Sequence, residues 1–534
     1  MRYPHTLLIL GLGLTLGGCS SLAPSVPVID KTYTITILHT NDHHGRFWQN
    51  QDGEYGMAAR KTVIDSIRAE VSEAGGYSLL LDGGDVNTGV PESDLQDAVP
   101  DFKGMNLLGY DAMAVGNHEF DKSPAVLAMQ RKLAVFPMLS ANIYLDGERL
   151  FDPYKLFNLG GVRVAVMGLT TEDTYKLGNP DNMRGIEFRN PIQEAANVVP
   201  ELQGKADVVI AATHMGHYED GRHGIQAPGD VEMARAVNGL DLVVGGHTQN
   251  PSCMRAENVM DNAYVPGSAC QPDRQNGTWI VQAHEWGKYV GRADFQYRNG
   301  AFTLVKYALI PINLKNTAAI TENPDMLALL KPYQNFGQQK LMVNVGTSDG
   351  VFEGDRAYVR KRATNLGMLI GQAMMDKTRA DFAVVNSGGV RDSLPNGAIT
   401  YKDILQVQPF GNTLCTLKLT GREVLEYLSV AAKMTPGAGG FAHLSGVELI
   451  MANGALLQAR IGGAFVDTAK SYTMAINSFM AVGGDGYPVF SAHPNFVNTG
   501  FVDADVLRGY IASHSPLRVA RYAPGGDLTA SPIQ

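Results

Sequence analysis

The chain carries the stretch TYTITILHTNDHHG at residues 32–45, in which an apolar run ends in a cluster of polar side chains. Further short apolar runs, each stopped by Gly, Asp, Asn or His, occupy residues 78–81, 111–115, 162–167, 207–211 and 241–244. Segments with helical spacing lie between several of them, for example at residues 56–73 and 191–202. Strands that alternate with helices predict a layered α/β fold.

Polar blocks closely follow five of the predicted strands. They occupy residues 41–45, 83–85, 116–121, 213–214 and 245–249. Because the carboxyl ends of strands in an open α/β sheet meet at one crevice, we expect the five blocks to converge. Their carboxylate, amide and imidazole groups, with no thiolate among them, suit a pair of Mn, Zn, Co or Mg ions.

The order of these blocks resembles the signature of calcineurin-like metallophosphoesterases, D-x-H, G-D, G-N-H-[E/D], H and G-H-x-[H/Q]. Over the whole mature chain, the sequence is similar to the bacterial 5′-nucleotidase/UDP-sugar hydrolase family. The resemblance implies an N-terminal four-layer α/β/β/α metallophosphoesterase domain at residues 31–321 and a C-terminal α/β nucleotide-binding domain at residues 341–534. A polar-faced helix at residues 322–340, bent or broken at Pro332, is predicted to join them.

Position by position, the resemblance implies seven ligands for two divalent metal ions. They are Asp42, His44 and Gln249 for one ion, Asn117, His214 and His247 for the other, and Asp85 for both. Gln249 stands where many phosphoesterases have histidine, and its neutral carbonyl oxygen should weaken that metal site. The nucleotidase branch shares this glutamine, so the departure favours the narrower family.

Other polar residues of these blocks are given different roles. His118 is the candidate general acid, because its neighbour Asn117 is a predicted ligand and an imidazole there can neutralise the departing oxygen. Asp121 would hydrogen-bond the ring and hold its tautomer. Polar residues beside strands more often satisfy the core or cap turns. That interpretation is given to His43, His217, His223, Asp82 and Glu119.

The C-terminal half offers side chains suited to a phosphate. Arg356 and Arg360 stand four positions apart, on one face if the segment is helical, and Arg391 follows the glycine turn at residues 387–390. Guanidinium groups bind phosphate or carboxylate through paired hydrogen bonds, so this set predicts an anion site.

Two phenylalanines are candidates for binding a base. Phe410 and Phe479 lie beside Gly-containing turns, although either one alone would more readily be a core residue. Brought face to face they would stack a planar base, while Asp485 could accept hydrogen bonds from ribose and Asn412 could contact the base. In the family resembled here the matching positions form the nucleotide pocket. The substrate would then bridge both domains, and a hinge motion at the joining helix is expected.

Composition limits the class of partner. The chain has 534 residues, 45% of them hydrophobic, which is enough for two or more domains with large cores. Its net charge of −9 argues against a nucleic acid and favours small phosphorylated substrates such as nucleotides. The protein is expected to act as a monomer.

The first residues have the pattern of an export signal. Arg2 precedes an apolar and glycine run at residues 7–18 that is too short to span a bilayer. Residues 16–19, LGGC, resemble a bacterial lipobox, which implies a signal peptide at 1–18, a diacylated Cys19 and a tether at 19–30. Ser20, in place of aspartate, favours an outer-membrane lipoprotein over an inner-membrane one. The alternative is an ordinary cleaved signal with an incidental cysteine.

The other cysteines fit an oxidising compartment. Cys253 and Cys270 flank a segment rich in turn residues and are predicted to form a disulfide. Zinc binding is the alternative, although neither cysteine has a second ligand at zinc-binding spacing. Cys415 lies in an alternating strand pattern and is interpreted as a core thiol.

Three functions compete at this point. The first is hydrolysis of nucleoside mono-, di- and triphosphates, and of UDP-sugars, for scavenging. The second is a 2′,3′-cyclic-nucleotide phosphodiesterase with 3′-nucleotidase activity on the same scaffold. The third is a surface lipoprotein that only binds nucleotides, which the acid and ligand residues argue against, because a binding protein needs no general acid.

Overall fold

A computed structural model describes residues 26–177, 182–218, 227–491, 493–524 and 531–532. The chain forms two α/β domains, as predicted. The proposed signal peptide at 1–18, Cys19 and His223 lie outside the described residues. Within the described ranges, no helix combines the length and the apolar character needed to cross a bilayer.

Two mixed β-sheets form the centre of the N-terminal domain. The first contains, in order across the sheet, Ala301–Pro311, Tyr289–Arg298, Tyr33–Thr40, Tyr77–Asp82, Ala112–Ala114 and Met138–Leu139. The second contains Asp273–Gln275, Thr278–Val281, Leu242–Val244, Val208–His214, Val162–Thr170 and Tyr154–Leu159. The inner strands of each sheet run parallel, so their carboxyl ends share one edge.

Alternating side chains of the strands divide this domain into four layers. In the strand Tyr33–Thr40, Ile35 and Ile37 face the second sheet, whereas Leu38 joins the core under the outer helices. A second set of helices covers the far face of the second sheet. The helices of this domain are Met57–Glu73, Pro91–Asp94, Val99–Leu108, Pro124–Leu133, Thr174–Leu177, Pro191–Leu202 and Asp230–Ala236. The α/β/β/α architecture is confirmed.

The helix Pro324–Leu341, termed the linker helix, leads to the C-terminal domain. The side chain of Asn323 caps it by accepting a hydrogen bond from the amide of Met326 at 3.0 Å. The helix continues through Pro332 without interruption, so the predicted break there is wrong. Since Met326 and Leu330 are buried in the N-terminal core, the linker helix packs as part of that domain.

The C-terminal domain is built on a five-stranded and a smaller sheet. The larger contains, in order, Ala442–Ser445, Phe382–Asn386, Ser471–Asn477, Thr413–Thr420 and Phe496–Val502. The smaller contains Ala464–Phe465, Ala455–Ile461, Val447–Ala452 and Ser531–Pro532. Its helices after the linker helix are Arg356–Val359, Asn365–Thr378, Tyr401–Val407, Gly421–Ala431, Ser478–Ala481 and Asp503–His514.

Short elements complete both domains. The remaining strands are Ile143–Leu145, Glu148–Arg149, Ile186–Phe188, Met254–Ala256, Val259–Met260, Asn344–Ser348 and Gly397–Thr400. Single turns of 3₁₀ helix lie at His118–Phe120, Ser387–Gly389, Gly484–Gly486 and Val519–Tyr522.

The three cysteines in the described residues behave as predicted. Cys253 and Cys270, separated by 17 positions, form a disulfide with a Cα–Cα distance of 4.9 Å, which excludes them as zinc ligands. Cys415 is a buried free thiol in the strand Thr413–Thr420.

Candidate active site

The five polar blocks meet at the shared carboxyl edge of the two sheets. Asp42, Asp85 and Asn117 follow strands of the first sheet, and His214 and His247 come from the second. Several residues here have left-handed backbone angles, with φ of 52° at Asp42, 61° at Asp85 and 78° at His247. Such angles are disfavoured for residues with a side chain, and they turn the chain sharply so that the side chains point into one volume.

Asp85 lies at the centre of the cluster. Its Oδ2 is 3.0 Å from His214 Nε2 and 3.8 Å from His44 Nε2. Asp42 Oδ1 is 3.8 Å from the same His44 nitrogen, and His247 Nδ1 is 3.2 Å from His214 Nε2. His44, Asp85 and His118 form one group of possible ligands, and Asp85, His214 and His247 form another. Each group has its ligand atoms within 4.8 Å of one another, and both share Asp85. This is the arrangement expected of a residue that bridges two ions.

An observation that does not depend on the sequence motif also supports a metal ion beside these donor atoms. Asn117 Oδ1 is buried and has no hydrogen-bond partner in the described part of the chain. A buried carbonyl oxygen without a partner is costly, and a cation beside it would remove that cost. Burial is the main cause that raises the pKa of Asp42 to about 7, and the nearby Asp85 carboxylate adds to this rise while His214 opposes it. A bound cation would favour the charged form of this carboxylate.

Gln249 turns its amide into the cluster. Its Nε2 lies 2.7 Å from His44 Nε2 and 3.4 Å from Asp42 Oδ1, while its Oε1 accepts a hydrogen bond from Arg356 at 3.3 Å. A metal ligand would have to be Oε1, and a half turn of the amide brings that oxygen to the same place. Gln249 is thus positioned at the cluster, with its nitrogen and not its oxygen facing the other ligands.

His118 and Asp121 form a close pair beside Asp85. His118 Nδ1 is 2.6 Å from Asp121 Oδ2, and His118 Nε2 is 3.9 Å from Asp85 Oδ2. Burial lowers the pKa of His118, but the two carboxylates outweigh it and raise the pKa to about 9. The ring therefore holds a proton and orients its second nitrogen towards the cluster.

Two of the histidines interpreted as structural pair with carboxylates outside the proposed ligand set. His43 Nε2 bonds Asp101 at 2.9 Å, and His217 Nε2 bonds Asp273 at 2.8 Å. The interpretation of these two histidines as core residues agrees with their contacts.

Glu119 and Asp82 accept hydrogen bonds from backbone amides. Glu119 accepts hydrogen bonds from the amides of Gly116, Asp85 and Val86 at 2.7, 3.1 and 2.9 Å. Asp82 accepts one from the amide of Gly84 at 2.9 Å. Both carboxylates hold the turns that carry Asp85.

The C-terminal domain faces this cluster across one cavity of about 510 Å³. Every substrate residue predicted from the sequence lines it, namely Arg356, Arg360, Arg391, Phe410, Asn412, Phe479 and Asp485. The N-terminal wall includes Asp85, Asn117, His118, Asp121, His247 and Gln249. Residues from both domains thus enclose a volume that suits a drug-sized ligand.

The three arginines form an electropositive wall. Burial and the neighbouring arginines lower the pKa of Arg360 to about 9, and the same causes lower that of Arg391 to about 10. A cation whose pKa falls in this way lacks sufficient counter-charge. The wall is therefore suited to an anion, which would stabilise all three charges.

The two aromatic residues make different contacts in the cavity. Phe410 stacks on His118 with ring centroids 5.9 Å apart and an interplanar angle of 13°, and the guanidinium of Arg391 lies 5.5 Å from the centroid of the Phe410 ring. Phe479 lines the same cavity, packed on Gly484, and makes no ring contact with Phe410 among the residues described. Sequence could not indicate a contact between Phe410 and His118, because it depends on how the domains dock.

Parts of the cavity wall were missed by the sequence analysis. Asn386 ends the strand Phe382–Asn386, lines the cavity and donates a hydrogen bond to Asp485 at 2.7 Å. The rule used for the metal ligands, a polar residue at the end of a buried strand, would have found it. The glycine-rich wall at residues 437–440 carries the signal PGAGG at 436–440.

Comparison with known families agrees with this geometry. Residues 35–251 match the calcineurin-like phosphoesterase family, and residues 344–492 match the 5′-nucleotidase C-terminal domain. The fold and the site together define a two-domain, metal-dependent phosphohydrolase.

The chain belongs to the 5′-nucleotidase family. It is 55% identical over 520 residues to Protein UshA of Escherichia coli, covering 94% of each chain. It is 53% identical over 533 residues to a 5′-nucleotidase of Vibrio cholerae, covering 96% of each. The crystal structure of a 5′-nucleotidase precursor from Thermus thermophilus matches with a TM-score of 0.74 and 29% identity, covering 93% of this chain and 100% of that one. The family predicted from the motifs is confirmed.

Proposed function

We propose that this protein is an extracytoplasmic 5′-nucleotidase that hydrolyses phosphate esters and anhydrides of nucleotides, including AMP, ADP, ATP and UDP-sugars, for nucleotide scavenging. The observation that carries this proposal is the single cavity in which Arg356, Arg360 and Arg391 face the cluster around Asp85. A nucleotide phosphate suits both walls, because its oxygens can bind metal ions on one side and guanidinium groups on the other.

The ligand set is assigned to two divalent ions of the Mg, Mn, Co or Zn type. Asp42, His44, Gln249 and Asp85 would hold one ion, and Asp85, Asn117, His214 and His247 the other. Two such ions supply an acidified water as nucleophile and a clamp for the phosphoryl oxygens. The unpaired Asn117 Oδ1 and the two groups of candidate ligand atoms that share Asp85 support this assignment.

His118 is assigned the role of proton donor to the leaving group. Asp121 engages Nδ1, so the proton that can be transferred is the one on Nε2, which faces the cluster. As the bond to phosphorus breaks, the departing oxygen of the nucleoside gains charge, and this proton neutralises it. Asp121 holds the ring in the tautomer and orientation that the transfer needs.

The C-terminal wall is assigned to substrate recognition. The arginines would bind the phosphate, and Phe410 and Phe479 would enclose the base, with Asn412 at its edge. Asp485, held by Asn386, would accept hydrogen bonds from the ribose hydroxyls. Aromatic faces stack on every base with similar strength, so this pocket suits a broad range of nucleotides.

The test is phosphate release from a nucleotide panel by the mature domains. AMP, ADP, ATP and UDP-glucose are expected to be hydrolysed, activity is expected to vanish on chelation, and Mg, Mn, Co or Zn should restore it. Turnover of 2′,3′-cyclic AMP with AMP untouched would contradict the proposal and indicate a cyclic phosphodiesterase. Binding that survives chelation without any phosphate release would instead indicate a binding protein.

A matched pair of variants tests the metal assignment. Asp85→Ala should lose both activity and most bound metal, because it removes the group shared by the two ions. Glu73→Ala removes an exposed carboxylate at the end of the helix Met57–Glu73 and should change neither. Full activity in the Asp85 variant would exclude the dinuclear mechanism.

We also propose that Cys19 carries a lipid anchor in the outer membrane. The LGGC sequence at residues 16–19 and the disulfide between Cys253 and Cys270 support an extracytoplasmic location. Cys19→Ala should release the protein from the membrane fraction, and Ser20→Asp should move it to the inner membrane. Retention of the Cys19→Ala protein in the outer membrane would contradict the anchor.

A further inference from the structure

Thr88 lies between the two parts of the catalytic centre. It belongs to the loop that follows the strand Tyr77–Asp82 and Asp85, and only 5% of its surface is exposed. It is neither a proposed metal ligand nor a proposed proton donor or substrate contact. Its two oxygen atoms nevertheless contact both the ligand His44 and the pair of His118 and Asp121.

The main-chain oxygen of Thr88 fixes the ring of His44. His44 Nδ1 is 2.8 Å from the carbonyl of Thr88 and 3.1 Å from that of Asn87. A carbonyl can only accept, so Nδ1 carries the hydrogen and donates it. The lone pair is then on Nε2, the nitrogen that faces Asp42 and Asp85, as a metal ligand requires.

The hydroxyl of Thr88 fixes the carboxylate of Asp121. Thr88 Oγ1 donates to Asp121 Oδ2 at 2.7 Å, the same oxygen that binds His118 Nδ1 at 2.6 Å. A carboxylate that is held by one ring nitrogen alone could still rotate about its Cβ–Cγ bond. The second donor, attached to a pinned loop, removes that freedom and aims Oδ2 at the ring.

The backbone of Thr88 is in a conformation that threonine disfavours. Its φ is 63°, in the left-handed region, where a β-branched side chain crowds the backbone. The surrounding loop is held in place, since Glu119 binds the amides of Asp85, Val86 and Asn87. Glycine or asparagine would adopt this angle more easily, but only Thr or Ser places a hydroxyl on the β-carbon.

We infer that Thr88 is a positioning residue that aligns both the metal ligand His44, through its carbonyl, and the His118–Asp121 pair, through its hydroxyl. The inference rests on the role proposed above for His118. It adds that the acid depends on a residue whose hydroxyl touches neither the substrate nor the ions. It also explains why a strained backbone angle occurs at a residue that itself binds neither the substrate nor a metal ion.

The test removes only the hydroxyl. Thr88→Val keeps the shape and the carbonyl, and Thr88→Ser keeps the hydroxyl. A matched control is Thr36→Val. Thr36 lies six residues before Asp42 in the sequence, it is also buried, and its hydroxyl donates a hydrogen bond to Asp294 at 2.7 Å. Bound metal and thermal stability are measured for each variant. Values of kcat and KM are measured for AMP, whose leaving group is an alkoxide, and for ATP, whose leaving group is a phosphate.

A loss of acid catalysis should depend on the leaving group. Thr88→Val is expected to lower kcat for AMP by about 10- to 100-fold and for ATP by less than about threefold, since general acid catalysis contributes about 100-fold or more for poor leaving groups. Metal content and KM should stay unchanged, and Thr88→Ser should restore kcat. Thr36→Val should share the loss of stability that a broken hydrogen bond causes, but it should show no dependence on the leaving group.

A double-mutant cycle with His118→Ala separates the positioning role inferred for Thr88 from the acid role proposed for His118. If Thr88 acts through His118, then Thr88→Val adds nothing to the loss already caused by His118→Ala. A full additional loss in the double variant, an equal loss for AMP and ATP in Thr88→Val, or no rescue by Thr88→Ser would each overturn the inference. If His118→Ala alone slows AMP and ATP equally, the acid role proposed for His118 fails, whatever the cycle gives.

Discussion

Gly116 offers the sharpest test of the bridging position given to Asp85. A Cβ at Gly116 would lie 2.2 Å from Asp85 Oδ1 and 2.5 Å from the amide nitrogen of Asp85. Real Cβ atoms stay at least 3.0 Å from other heavy atoms, so the shortfall at the carboxylate is 0.8 Å. The φ angle at Gly116 lies outside the left-handed region that side chains disfavour. Gly116→Ala therefore displaces Asp85 without straining its own backbone.

The expected effect follows from that displacement. A misplacement of about 1 Å in a catalytic centre costs about 100-fold in rate, which corresponds to about 2.7 kcal/mol of transition-state stabilisation. Insertion of a methyl group into a packed site also costs about 1–3 kcal/mol of folding free energy. We expect kcat/KM for AMP to fall about 100-fold, with weaker binding of at least one metal ion and a measurable loss of stability.

The assay needs a glycine that tolerates the same change. Gly509 lies in the helix Asp503–His514, and a Cβ there meets nothing within 4 Å. Gly509→Ala should leave kinetics and metal content unchanged and raise the free energy of unfolding by about 0.5–1 kcal/mol. If Gly116→Ala kept its metal and its kcat/KM within about twofold of the parent, the placement of Asp85 between the two ions would be refuted.

Three further changes address recognition, stability and domain contact. Phe479→Ala should raise KM for AMP about tenfold, the loss expected for one stacked base, with bound metal intact; a parent-like KM would exclude stacking. Replacing both Cys253 and Cys270 by Ala should lower the free energy of unfolding by about 3 kcal/mol in urea titrations, and an equal midpoint with and without the disulfide would contradict this. Lys402→Met should leave Glu92, which it contacts at 2.6 Å and which is 1% exposed, buried without its cation. The docked arrangement should lose about 3 kcal/mol and small-angle scattering should report a larger radius of gyration; an unchanged radius would show that this pair does not hold the domains.

Much of the N-terminal site was predictable because its signal is local. The strand Tyr33–Thr40 and the proposed ligand Asp42 are neighbours in the sequence, and the same holds for Asp85 and His214 with their strands. The rule that parallel strands end at one edge then brings separate blocks together without knowledge of side-chain geometry. The predicted convergence therefore needed only the positions of the strands.

The contacts that escaped prediction all join distant parts of the chain. Lys402 meets Glu92 across 310 positions, and Phe410 stacks on His118 from the other domain. Thr88 sits in an ordinary turn-forming sequence, Asn-Thr-Gly, which predicts neither its left-handed angle nor its bond to Asp121. No pattern of hydrophobicity or spacing encodes such contacts, because they depend on how finished elements dock.

The division of charge between the domains links ligand binding to their contact. The cluster around Asp42 and Asp85 brings two carboxylates together, and the wall of Arg360 and Arg391 brings together positive charge with too few partners of its own. Metal ions would neutralise the first, and a phosphate bound to them would neutralise the second. A phosphate that bound both walls should therefore favour the docked domains, and its departure after hydrolysis should remove that advantage. Release of product and separation of the domains are then two consequences of one loss of charge pairing.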